Sequence, residues 1–289
     1  MRLSIDTIVE AVIFICGIIS VIFVVLIFGF LFKEGFDFLK DFGILRFVTG
    51  KFWYPSSNPA LFGILPLVVG SLLVTFGACA VAIPIGVMAA LYISEVAPKN
   101  MRDILKSSVE LMAAVPSVVV GFVGMTTFVP VVKVFFNVPT GLTAFSGSIM
   151  LAFMAIPTIV TISEDAIRSV PWQYKEGALA LGATKWQTLR RVVLKAAMPG
   201  IIAAIMLGIG RVIGETMAVM MITGNAACIP NSIFEPVRTM TATIAAEMGE
   251  TVKGGTHYKA LFAIGLVLFL ITFIVNFVAD LFLRKTQNR

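Results

Sequence analysis

Arg211 and Glu215 lie four residues apart inside an otherwise apolar stretch that runs from Met198 to Thr223. A charged side chain at bilayer depth costs roughly 3 kcal/mol on insertion scales, and such residues usually face a bundle interior or a polar pathway. On a continuous helix, positions i and i+4 share a face, so the two heads could partly neutralise each other. An arginine fork is also suited to gripping an oxyanion through paired N–H donors. Two roles stay open on these residues alone: an architectural ion pair, or a weak anion contact at Arg211 with Glu215 sensing the protonation of what binds.

The elements that must position the pair are membrane helices. The hydrophobic fraction is 58%, the charged fraction 13% and the mean hydropathy +0.99, far from a soluble average. Runs long enough to cross a bilayer predict six spans near 8–32, 64–93, 109–132, 142–163, 198–223 and 259–282, an all-α integral membrane fold in one permease-sized domain over 1–289. The second starts after a proline-rich segment, Trp53 to Gly63, that reads as loop. An even number of spans puts both termini on one side. The 164–197 loop holds Arg168, Lys175, Lys185, Arg190, Arg191 and Lys195, so the basic residues are denser on the side of the termini. That asymmetry predicts cytoplasmic termini. The formal net charge of +6 is explained by this topology and needs no nucleic-acid partner. The first span reads as retained, because no small-x-small cleavage site follows it before Lys33.

Three short repeats, Ala82-Ile83-Pro84, Ala114-Val115-Pro116 and Ala155-Ile156-Pro157, fall in successive predicted spans. A proline inside a span frees a carbonyl and kinks the helix, so each is a packing kink or part of a shared cavity wall. Gly63, Gly70 and Gly77 form one stripe on the second span. Gly210 and Gly214 flank the Arg–Glu pair, and small residues of that kind predict a tightly packed seam beside it. Cys16, Cys79 and Cys228 make no disulfide framework, and no His/Cys/Asp cluster has ligand spacing, so neither a metal nor another cofactor is expected. His257, the only histidine, falls in an outside loop and reads as solvated. No catalytic constellation is present.

The cytoplasmic loop 169–195 reads SVPWQYKEGALALGATKWQTLRRVVLK. Pro171 suits a first helical turn, and Gly182 can end a short helix in the left-handed conformation. Thr184 can cap a second helix in which Trp186, Leu189 and Val193 share a face. Two short helices hinged at a glycine and rimmed with basic residues serve equally as a docking knob or as an interfacial segment lying on anionic lipid.

Within this loop Glu176-Gly177-Ala178, three residues, Gly182, nine residues, then Val192-x-Leu194 resembles the EAA loop of ABC importer permeases. Gly177 stands where that motif has Ala in its second position, and Lys195 where it has Pro. Further runs, FGILPLVVGSLLVT (62–75), AIPIGVMAALYISEVAP (82–98), ELMAAVPSVVVGF (110–122) and GRVIGETMAVMMITGN (210–225), make the chain similar to PstC-like permeases of the Pst-type phosphate importer. The resemblance implies a type I ABC importer permease fold with six transmembrane helices in the cell inner membrane. It further implies a PstA-like second permease, a PstB-like ATPase dimer and an extracytoplasmic phosphate-binding protein as partners. It associates Arg211 and Glu215 with the phosphate pathway, and Glu176, Gly177, Ala178 and Gly182 with ATPase coupling. The loop 225–258, carrying Asn231, Glu235, Arg238, Glu247 and Glu250, resembles the family's extracytoplasmic loop and would meet the binding protein.

The chain contains no G-x4-G-K-[ST], so ATP hydrolysis falls to a partner. Other readings are a permease for sulfate, molybdate or phosphonate, an ion channel or secondary transporter, and an intramembrane enzyme. The channel would not require the EAA spacing, and the enzyme lacks a catalytic cluster.

Overall fold

Apolar segments in hydrocarbon must satisfy their backbone N–H and C=O groups internally, and a helix does so residue by residue. The computed structural model describes residues 5–287, with side chains from 9 to 281. The chain runs through α1 (Ile5–Phe42), α2 (Ile44–Thr49), a hairpin of β1 (Trp53–Tyr54) and β2 (Leu61–Phe62), α3 (Leu65–Leu91), α4 (Lys99–Ala114), α5 (Ser117–Val123), α6 (Val129–Phe135) and α7 (Ala144–Arg168). It continues through α8 (Trp172–Ala180), α9 (Lys185–Thr188), α10 (Leu194–Gly214), α11 (Met217–Ile222), α12 (Met240–Glu247) and α13 (Thr256–Gln287). Wider π-helical turns at Tyr92–Val96, Gly124–Phe128 and Leu189–Val193 extend α3, join α5 to α6 and join α9 to α10. Among the described residues six helical segments are long and apolar enough to cross a membrane: Val9–Phe42, Leu65–Val96, Ser117–Phe135, Ala144–Arg168, Lys185–Gly214 and Thr256–Leu281.

The limits depart from the sequence expectation in three places. Helix α1 continues ten residues past position 32, because its charged stretch from Lys33 to Asp41 contains no helix breaker apart from Gly35. The third span starts at Ser117, since Pro116 holds Val115 extended (ψ 126°) and ends α4. That proline therefore lies between helices, whereas Pro84 and Pro157 lie inside α3 and α7. The residue before a proline is pushed out of the helical region, and the chain turns there. Helix α4 then lies outside the span. None of its residues is buried, and Met101, Ile104 and Leu111 leave apolar surface uncovered, as in a helix that rests in a bilayer interface. The fifth span begins at Lys185 and ends at Gly214, short of the expected 223.

Helix α7 is the axis of the bundle. Its Leu151, Ala155 and Ile159 join Val74, Ala78 and Ala82 of α3 and Val212 of α10 in one core cluster. Gly86 on α3 and Gly208 on α10 both abut Ile159, where an added Cβ would come within 2.8 and 2.6 Å of its side chain. Glycine at both places lets the three helices close on one branched residue. On α3, Gly70 packs against Arg238 and Gly77 against Ser148. By contrast Gly210 and Gly214 meet nothing. The buried row of α10 is Ala197, Ile201, Ala204, Gly208 and Val212, so positions 210 and 214 turn away from it, and the seam expected beside the Arg–Glu pair lies on the Gly208 face instead. Helix α1 packs only near its end, where Phe28 meets Phe269 and Phe30 meets Phe262 at ring distances of 5.0 and 5.3 Å. From Val9 to Ile27 the described residues of α1 are exposed and, apart from Glu10, largely apolar.

Candidate functional site

The Gly214-Glu215-Thr216 sequence breaks the fifth span. Helix α10 ends at Gly214, Glu215 is extended (φ −68°, ψ 135°), and α11 starts at Met217. The break is held from outside: Thr241 Oγ1 donates to the Glu215 carbonyl at 2.8 Å, satisfying a group that a continuous helix would have used. Thr216 Oγ1 donates to the Gly214 carbonyl at 3.2 Å.

The break separates the two charges. Among the described residues no ion pair joins Arg211 to Glu215. Arg211 sits in the last turn of α10, where the free carbonyl end of the helix favours a cation, and its Nη1 donates to Thr158 Oγ1 of α7 at 3.0 Å. The Glu215 carboxylate accepts the Ala218 N–H at 3.3 Å, one of the orphan donors at the start of α11. Each charge is therefore eased by a helix terminus. Both side chains are half-buried. With Leu151, Met154, Ala155 and Val212 they bound a crevice that has no room for a water molecule. The arrangement leaves a guanidinium fork held by one hydroxyl, next to a carboxylate that can accept a proton-bearing oxyanion.

The second site is the loop 169–195. Pro171 occupies the N-cap of α8 rather than its first turn. Gly182 adopts φ +81°, its N–H donates to the Leu179 carbonyl at 2.9 Å and that of Ala183 to the Ala178 carbonyl at 3.1 Å. This double bond pattern satisfies the last carbonyls of α8 and needs a residue tolerant of positive φ. Thr184 caps α9 reciprocally with Gln187: the Thr184 side chain accepts the Gln187 N–H at 3.2 Å and the Gln187 side chain accepts the Thr184 N–H at 2.9 Å, a capping box. Glu176 is exposed and accepts from Trp172 Nε1 at 2.6 Å. Gly177 is open on all sides, Ala178 is half-buried, and Leu181 at the tip is 91% exposed. Trp172, Tyr174 and Trp186 are also exposed. An uncovered apolar tip rimmed with aromatic residues is the anatomy of a protein contact. Lys195 is already inside α10, and the helix runs from the loop into the membrane without a stop.

Two carboxylate hubs were not foreseen. At the C-terminal end of α7, Glu164 is 1% exposed and accepts from Lys106 Nζ at 2.8 Å and Arg168 Nη1 at 3.2 Å, which ties α4 to α7. The hydrogen bond to Glu164, reinforced by Asp165, raises the Lys106 pKa above its ordinary value against a smaller opposing effect of burial. At the other end, Glu247 accepts from Trp53 Nε1 at 3.0 Å and Arg238 Nη1 at 2.7 Å, and meets His257 Nε2 at 2.8 Å. His257 thus sits in a network rather than in solvent, and Arg238 is engaged before any partner arrives. Glu235 accepts the Asn231 N–H at 2.8 Å, and Glu250 ends a short 3-10 turn after α12. The signal for Glu164 was weak but present, a carboxylate at a span end followed by Arg168 at i+4. Nothing in the spacing links Trp53 to Glu247.

Residues 82–288 match the family described as binding-protein-dependent transport system inner membrane component. A Bacillus subtilis protein, the probable ABC transporter permease YqgH, is 37% identical over 261 residues, covering 90% of this chain and 84% of that one. The phosphate transport system permease PstC of Mesorhizobium japonicum is 33% identical over 278 residues, with coverages of 90% and 84%. Its Haemophilus influenzae counterpart is 34% identical over 269 residues, with coverages of 86% and 84%. Among solved structures, a bacterial alginate ABC transporter in complex with a periplasmic protein superposes with a TM-score of 0.61 at 16% identity, covering 99% of this chain and 98% of that one. The inward-facing MetNI methionine ABC transporter gives a TM-score of 0.57 at 19% identity, with coverages of 78% and 94%. The fold is that of type I ABC importer permeases.

Proposed function

The chain belongs to the binding-protein-dependent transport system inner membrane component family, and from that premise we propose that it is a membrane-spanning subunit of an ATP-driven importer of inorganic phosphate. The relatives named for phosphate transport support the substrate. The observation that carries the reading is the break at Glu215, which sets Arg211 and Glu215 as separate groups on one crevice. Broken membrane helices recur at the substrate sites of transporters because their ends offer unpaired backbone groups to ions. Arg211 supplies a fork for two phosphate oxygens. The Glu215 carboxylate accepts a hydrogen bond from the P–OH of HPO₄²⁻, a donor that sulfate lacks, and leaving that carboxylate facing a second anion without a donor between them is penalised. The crevice is closed in the single chain, so the path opens between this subunit and a second permease of PstA-like kind, across the open face of α10 at Gly210 and Gly214.

The loop 169–195 is the coupling element on this reading. Glu176, Gly177, Ala178 and Gly182 shape the tip that docks on a PstB-like ATPase dimer, and ATP is hydrolysed there rather than in this chain. The termini are cytoplasmic, the loop 225–258 faces the extracytoplasmic phosphate-binding protein, and the Glu247 hub stiffens that face. Uptake of labelled phosphate by vesicles carrying the complete complex, with unlabelled sulfate in excess, tests the assignment. Uptake that sulfate leaves intact is expected, and uptake of sulfate in preference to phosphate would refute it.

A further inference from the structure

Behind the exposed tip of the coupling loop lies a cleft of about 710 Å³, walled by the end of α3, by α4, by α7 and by the helices of the loop. Four cations line it, Arg102, Arg168, Lys175 and Lys185, against one lining carboxylate, Glu95. Lys175 pairs with Glu95, and Arg168 with Glu164, which Lys106 shares. Arg102 gives its Nε and Nη2 to the carbonyls of Ile93 and Ser94 at 2.9 and 2.7 Å and makes no ion pair among the described residues. Lys185 makes no ion pair among the described residues. The cleft therefore carries excess positive charge, with Arg102 held by carbonyls alone and Lys185 outside any ion pair among the described residues, and Trp172, Trp186 and Leu189 add apolar wall.

An independent observation points to an occupant. Thr188 lines this cleft, is 5% exposed, and its Oγ1 has no hydrogen-bond partner. Helical threonines normally return the hydroxyl to the carbonyl four residues back, as Thr126, Thr127, Thr223, Thr243 and Thr272 do here. Thr188 does not, and a buried hydroxyl left unpaired is costly. A tetrahedral oxyanion would accept from Thr188 while meeting the Lys185 and Arg102 charges.

We propose that this cleft binds a phosphate group, supplied either by the headgroup of an anionic phospholipid or by free phosphate. The site is separate from the Arg211 crevice and stands whichever oxyanion the subunit carries. Its walls join α3 and α4 to the coupling loop, so occupancy braces the loop against the bundle.

The three tryptophans make the test direct, because Trp172 and Trp186 line the cleft while Trp53 is buried in the Glu247 hub. The full-length chain in dodecyl maltoside is titrated with inorganic phosphate and, separately, with dioctanoyl phosphatidylglycerol, following tryptophan emission. Chloride at matched ionic strength is the control. A saturable change with at least one probe is expected. Lys185→Ala and Thr188→Val should each weaken it about fivefold or more, and Arg190→Ala, outside the cleft, should leave it unchanged. Saturation by phosphate assigns the free ion, and saturation by the lipid alone assigns the headgroup. The isosteric Thr188→Val decides the matter if Lys185→Ala fails to fold. No saturable response, a chloride response of equal size, unchanged titrations in both cleft variants, or an equal loss in Arg190→Ala would each overturn the proposal.

Discussion

The coupling loop and the Arg211 crevice are built in opposite ways. In the loop the turn and cap contacts are local: Gly182 with Leu179, Ala183 with Ala178, Thr184 with Gln187, while Lys175 reaches back to pair with Glu95. At the crevice they are distant: Arg211 reaches Thr158, 53 positions away, and the Glu215 carbonyl is held by Thr241, 26 positions away. The hinge and cap of the loop are thus set within a few residues of Gly182. The crevice exists only when three helices and the α12 region are in place. In the roles proposed for them, a coupling element transmits force with a fixed shape and a transport site changes shape to release what it holds, and the two constructions suit those tasks.

Breaking the distant construction should have the largest effect. Arg211→Lys keeps the charge but loses the planar fork, so phosphate uptake by vesicles should fall about 10- to 100-fold, the equivalent of roughly 1.5–3 kcal/mol of charge-assisted hydrogen bonding. Assembly and basal ATP hydrolysis, read on the same preparation, should survive. Breaking the local construction comes next. Gly182→Val forces a β-branched residue to φ +81°, at a strain of about 1–3 kcal/mol. The spans should stay folded while the phosphate imported per ATP hydrolysed drops several-fold; normal ATPase copurification together with normal uptake would remove the loop from the coupling path. Glu215→Gln sharpens the crevice side, since it keeps the contact with the Ala218 N–H but changes what it offers the ion. Competition by sulfate should strengthen about 3- to 10-fold, as measured by its inhibition of labelled phosphate uptake.

The smallest expected effect concerns the Glu164 hub, which ties α4 to α7. Glu164→Gln leaves Lys106 and Arg168 without their shared carboxylate, but these side chains are 31% and 50% exposed and can be rehydrated. A loss of about 1–2 kcal/mol follows, visible as a fall of a few degrees in Tm. The raised Lys106 pKa fixes the pH behaviour of the parental hub. Its stabilisation is fully present below the ordinary lysine value and is lost only as pH rises through the higher folded value. Thermal scans between about pH 6 and 9 should therefore show no Lys106-dependent transition.

Legibility in the sequence followed the same division. The shape of the loop 169–195 could be read from Gly182 and Thr184 because turn and cap chemistry is decided within a few residues. The six spans followed from hydropathy. The separation of Arg211 from Glu215 could not be read, since an i, i+4 pair in an apolar run gives no sign that Thr241 will capture the intervening carbonyl. The seam was likewise misplaced, because choosing Gly208 over Gly210 as the packed glycine requires knowing which way α10 turns toward Ile159. The place of Pro116 between helices could not be read either, because hydropathy runs on without a mark where α4 ends and α5 begins. The Glu247 hub joins Trp53, Arg238 and His257 across most of the chain, a purely tertiary event.

The central claim is that the crevice carries the ion while the loop only delivers the drive. It is tested most directly by reconstituting the complete complex with Arg211→Lys into vesicles and reading labelled-phosphate uptake and ATP hydrolysis in the same sample. The account predicts ATP-dependent uptake in the parental complex, and in the variant continued hydrolysis with uptake reduced at least about tenfold. Uptake by the variant at the parental rate, with hydrolysis unchanged, would contradict it and leave Arg211 as architecture.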